Sequence, residues 1–178
     1  MLDDKSQLEV KPIARTTAII VFSLCSGVVV FGVFVVFMIE PKPKPEAYLL
    51  TYMSLGFAVI ETVICLVVPG VMVKMARKQI AAGSWKYQER YMPSIETDAG
   101  KLAVLYQQTT IVGCALLEGG AFFALTANMI ESHVSTLVVA VLLLIGMAMY
   151  MPYGNRVSWW VESQLHTVEY EKGYSAVK

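Results

Sequence analysis

The chain has 178 residues, of which 56% are hydrophobic and 16% charged, and 14 Lys and Arg balance 14 Asp and Glu. A mean hydropathy of +0.58 is too apolar for a soluble single domain, and disorder is excluded because disordered chains are charged and poor in apolar residues. A pI near 6.7 argues against nucleic acid as a partner, and three Cys without zinc-type spacing are too few for a disulfide scaffold.

A membrane-spanning helix needs roughly 20 mostly apolar residues. Four runs meet or approach this. Thr16–Ile39 has no charge over 24 residues, Ala47–Val73 is apolar except for Glu61, Leu102–Ile130 carries Glu118 and a few amides, and Val134–Met151 has no charge over 18 residues. Backbone groups in lipid must be satisfied within the segment, so each run reads as a helix. The first is too long for a signal peptide, and no small-residue cleavage site follows it. Pro41-Lys42-Pro43-Lys44-Pro45 makes a stiff outer turn, and Glu131-Ser132-His133 a very short one. The short turn makes the third and fourth helices antiparallel neighbours. The link 74–101 is the long connection, broken at Met92-Pro93-Ser94, with Asp98 able to cap the helix that follows. After Pro152, Val157, Trp160, Val161, Leu165 and Val168 fall at helical spacing. They predict an interfacial helix over 155–171 with Trp159 and Trp160 at headgroup level.

Orientation follows the basic residues. Lys5, Lys11, Arg15, the six in the long link, Arg156, Lys172 and Lys178 make 12, against Lys42 and Lys44. Both termini and the long link should face the cytoplasm, in an inner or plasma membrane. Ile19–Glu40 also aligns without gaps on Thr110–Glu131, with six of 22 positions identical, and each ends in Met-Ile-Glu. Pro69 and Pro152 each end an apolar run and precede a basic amphipathic stretch. The expected fold is therefore an all-α membrane protein: a single domain of four transmembrane helices arranged as two tandem hairpins, with cytoplasmic amphipathic extensions after helices two and four.

Two acids stand near mid-depth, Glu61 and Glu118. A charged carboxylate there costs about 2.5–3.5 kcal/mol to insert, and no Lys or Arg lies inside any run. Each Glu is thus protonated, bound to an ion, or paired with another subunit. Cys114, Thr110 and Gln107 share a helical stripe with Glu118, and Gly119-Gly120, with Gly113, lets a neighbouring backbone come close. Around Glu61 the same spacing gives Ser54, Ala58 and Cys65. Such a seam suits proton or cation binding, or two neutral acids bonded across a bundle. Intramembrane hydrogen bonds average only about 0.6 kcal/mol, a small return on the insertion cost.

Ala115-Leu116-Leu117-Glu118-Gly119-Gly120-Ala121-Phe122-Phe123-Ala124-Leu125 resembles the ion-binding helix of rotary ATPase proteolipids, the c or K subunits, and Ala99-Gly100-Lys101 resembles the start of that helix. The resemblance implies that Glu118 binds a transported proton or sodium ion. The second run departs from that family. It has only Gly56 and Gly70 where proteolipids carry alternating glycines, and it has its own Glu61.

Other chemistry is thin. Cys25, Cys65 and Cys114 fall one to a helix and read as small hydrophobes. Neither His133 nor His166 has metal-ligand spacing, and no phosphate loop or nucleophile elbow occurs. No catalytic set, metal or cofactor is expected. Arg77, Lys78, Lys86 and Arg90, interleaved with Trp85, Tyr87 and Tyr91, suit anionic lipid headgroups, or simply hold the loop inside. The expected function is a proton- or cation-binding subunit of an oligomeric transport complex, with copies of itself or other membrane subunits as partners. The alternative is a non-catalytic scaffold of a larger membrane complex.

Overall fold

The computed structural model describes residues 3–38, 48–85 and 95–176. The Pro41–Pro45 turn, the Met92-Pro93-Ser94 break, and Lys86 and Arg90 lie outside the described residues. The described chain is helical: α1 (Asp4–Met38), α2 (Leu49–Ala81), α3 (Asp98–Glu131), α4 (Val134–Met149) and α5 (Arg156–Ala176). Helices α1, α2 and α3 are long and apolar enough to cross a bilayer, which marks a membrane protein. Helix α4 is apolar beyond its first turn and carries no charge, but has 16 residues. At 1.5 Å per residue that is roughly 24 Å, against a hydrocarbon core of about 30 Å. Its apolar run continues to Met151, but the helix stops at Met149. The residue before a proline is steered away from helical angles, and Pro152 follows Met151.

Two of the long helices outrun the apolar residues that announce them. Helix α1 begins at Asp4 and passes through Pro12, and α2 runs to Ala81 through Pro69. Proline removes one N–H, so each leaves a carbonyl four residues earlier without its helical donor. For Pro12 this is the carbonyl of Leu8, an exposed residue. For Pro69 it is that of Cys65, where the Tyr150 hydroxyl lies 3.5 Å away. A neighbouring side chain thus stands in for the missing donor.

The chain divides into two compact units. The first joins 1–18, 69–110 and 152–178. Its core is built from Val10 and Ile13 of α1, Ile80 of α2, Ala99–Tyr106 of α3, and Val157, Val161 and Val168 of α5. Trp160 packs edge-on against Tyr106 at 5.3 Å between ring centroids. The apolar stripe that sequence reading assigned to the membrane surface is therefore packed on protein. Trp159 is 71% exposed and remains the outward-facing tryptophan of α5. The start of α3 is capped by Thr97, not Asp98. The Gly100 N–H donates to Thr97 Oγ1 at 2.9 Å, while the Asp98 carboxylate pairs with Lys101 at 2.8 Å and with Lys172. Arg77 donates to Gln164 of α5 at 3.0 Å, so its guanidinium serves contacts inside this unit.

The second unit joins 19–68 and 111–151. Here α3 is the central element. Helix α2 meets it antiparallel: Phe57 packs on Phe123, and Cys65 lies by Gly113. Helix α4 is also antiparallel, with Gly146 beside Leu117 and Tyr150 beside Gly113. Helix α1 runs parallel to α3, with Gly27 beside Glu118, Phe31 on Phe122 and Gly32 beside Leu125. The outer helices offer narrow stripes: Thr51, Ser54, Ala58, Glu61 and Cys65 on α2, and Thr136, Ala140, Leu143 and Met147 on α4. This 3-4 spacing is that of a coiled-coil seam, and small residues in it let helices close up. The faces turned away carry exposed Phe, Val, Leu and Ile, the composition that lipid tails accept.

Candidate functional site

Glu61 projects from the buried stripe of α2 onto α3. It is 5% exposed. A Cβ built on Gly119 would lie 3.5 Å from its Oε1, and one built on Gly120 would overlap its Oε2. The carboxyl group thus occupies the volume that any other residue at 120 would fill with its side chain. Leu143 of α4 approaches Gly120 as well, 3.1 Å from the same hypothetical Cβ. Glycine at 120 is therefore a steric condition for the contact. Oε2 has no hydrogen-bond partner among the described residues, unusual for a buried polar atom.

Glu118 takes a different direction. It is half-buried, and its Oε1 would lie 3.7 Å from a Cβ on Gly27 of α1. Neighbouring positions on a helix point about 100° apart. Glu61 thus meets the Gly119-Gly120 backbone, and Glu118 meets α1. The acids bracket one turn of α3 from different sides.

The supporting residues divide. Gly119 and Gly120 form the surface under Glu61. Ser54 is buried, but its hydroxyl donates to the Thr51 carbonyl of its own helix at 2.9 Å. Cys114 is fully buried. Gln107 and Thr110 are buried in the first unit. One turn along α2, Cys65 Sγ lies 3.0 Å from Tyr150 Oη and 3.6 Å from the Gly113 carbonyl oxygen. A Cβ on Gly113 would sit 2.9 Å from the Tyr150 ring, so glycine there admits the tyrosine.

Sequence reading passed over two participants. Glu131, taken as part of a turn, is 5% exposed and accepts the N–H groups of Leu50 at 2.7 Å and Thr51 at 2.8 Å. Its signal was the shared Met-Ile-Glu ending, which gives no direction. Tyr150 was read as part of an apolar run. Among the described residues, no cluster of three or more His, Cys, Asp or Glu is placed to hold a metal ion. Comparison of the chain with protein families, with curated proteins and with solved structures finds no match.

Proposed function

We propose that the chain is a four-span membrane protein whose intramembrane carboxylates bind a proton or cation, acting as a subunit of an oligomeric transport complex. One observation carries this reading: a nearly buried Glu61 has an unpartnered oxygen pressed against glycine backbone, in a unit whose segments contain no Lys or Arg except Lys42 and Lys44. An acid at such a depth is costly, and intramembrane acids characteristically mark ion pathways and proton relays. Glu118, beside Gly27, is the second acid of the pathway.

Two features support the topology. The alignment of Ile19–Glu40 on Thr110–Glu131 sets Gly27 on Glu118 and Phe31 on Phe122, and both pairs are neighbours in space. Tandem hairpins related by an axis along the membrane normal give such contacts, as parallel repeats do. The 12 basic residues of the termini and the link belong to the segments of the first unit, which supports a cytoplasmic position for those segments under the positive-inside rule.

The test is purification from native membranes followed by reconstitution into vesicles. The expected result is a defined oligomer or a complex with other membrane subunits, and a proton or sodium flux that Glu61→Gln abolishes. A well-folded protein that purifies with larger partners and shows no such flux refutes transport and favours the scaffold.

A further inference from the structure

We infer that the ligand of Glu61 is a proton, held as a neutral carboxylic acid, and not a metal cation. This rests on the ion-binding reading above and narrows it. A cation leaving water must replace its hydration shell with protein oxygens, as carbonyl rings do in selective channels, and hard divalent ions take six or more oxygen ligands. Among the described residues, the surroundings of Glu61 do not provide them. It faces the backbone of Gly119 and Gly120, with Leu143 alongside. Helical backbone is poor ligand material, because its carbonyls are committed to N–H groups one turn on. Within two turns of Glu61, the polar side chains of α2 are committed too. Ser54 bonds to the Thr51 carbonyl, Thr62 to the Ala58 carbonyl at 2.7 Å, and Cys65 is held by Tyr150 and Gly113. Glu118 is turned to Gly27 and gives no second carboxylate.

A proton needs none of this. It adds to one carboxylate oxygen, forms an O–H bond and removes the charge, leaving a group that hydrocarbon tolerates far better than an anion. The titratable groups nearest in register on the packed helices are Cys25 of α1, Cys65 of the same helix, Cys114 and Glu118 of α3, and Tyr150 after α4. None brings a positive charge, and α4 contains no charged residue.

The full-length protein in lipid vesicles is treated with a hydrophobic carbodiimide, which reacts with protonated carboxyls. Modification at Glu61 is read by peptide mass across pH, with sodium, lithium or calcium exchanged for choline at constant ionic strength. Infrared spectra of wild type and Glu61→Gln, their fold checked by circular dichroism, report the carboxylic-acid C=O band directly. The expected outcome is modification that falls as pH rises, no change between choline and the metal ions, and a neutral-pH acid band lost in the variant. Protection by a metal ion overturns the proton assignment and leaves the ion-binding reading standing. An absent acid band with Glu61 unmodified at every pH also overturns the assignment. Modification that neither pH nor any cation alters removes the ion-binding reading itself.

Discussion

Glu131 closes the start of α2: its Oε2 accepts the Thr51 N–H at 2.8 Å, and its Oε1 accepts that of Leu50 at 2.7 Å. The first N–H groups of a helix have no partner within it. Here a residue at the far end of another helix supplies one. Truncation of Glu131 to Ala leaves two donors stranded. Unsatisfied buried donors cost about 1–3 kcal/mol, so Glu131→Ala should lower thermal stability in detergent by about 2 kcal/mol. Glu131→Gln, which keeps an acceptor, should lose less. Equal melting of wild type and Glu131→Ala would remove the capping role.

Gly120 is the steric gate for Glu61. Overpacking a tight contact typically costs 1–3 kcal/mol, and Gly120→Ala should fall in that range. It should also change carbodiimide reactivity at Glu61 while leaving Glu118 little altered. Gly56→Ala serves as a control, since nothing lies within 4 Å of a Cβ there. Identical reactivity in Gly120→Ala and wild type would show that Glu61 does not rest on that glycine.

Pro69 and Tyr150 should be energetically coupled through the Cys65 carbonyl. Tyr150→Phe removes the hydroxyl and should cost about 1 kcal/mol. Pro69→Ala restores the helical N–H, so the carbonyl no longer depends on tyrosine. In that background the loss from Tyr150→Phe should shrink by at least about 0.5 kcal/mol, the scale of coupling between residues that share a partner. Strict additivity in the double-mutant cycle would show that the hydroxyl serves the Cys65 thiol alone.

Asp98 gives a pH dependence to the first unit. Burial pushes its carboxyl up, but the hydrogen-bonded ammonium groups of Lys101 and Lys172 outweigh this and hold it below the ordinary 3.8. A carboxyl lowered by folding stabilises the protein fully above that ordinary value, and the stabilisation is lost as pH falls through the lower folded value. Acid should therefore erode stability below about pH 4, by about 1 kcal/mol for a partly exposed pair. Asp98→Asn should flatten that segment of a stability-against-pH curve. An unchanged slope in the variant would count against the pairing.

Much of the helical plan was legible in composition alone. Apolar runs, interrupted only by Glu61 and Glu118, announced α1 to α4 because lipid demands apolar side chains and internally bonded backbone. The helix ends were less legible. Pro69 read as the end of an apolar run, yet α2 continues to Ala81, because a borrowed donor offsets the missing N–H. The stripe of Val157, Val161 and Val168 was visible, but amphipathicity does not say whether membrane or protein covers the apolar side. At the site, spacing identified Gly119 and Gly120 as a place of close approach, while the approaching residue, Glu61, lies on another helix and leaves no local trace. The same holds for Glu131 and Thr51, which are 80 positions apart.

The parallel contact of α1 with α3 has a consequence for how such a pair arises. Two copies of one helix meeting face to face in register about a two-fold axis present the same residue to itself, so bulk on one side is bulk on both. Gly27 opposite Glu118 is a combination that identical partners cannot reach. Encoding both helices in one polypeptide frees each side to vary alone, so an acid can be kept on one while the space it needs is cleared on the other.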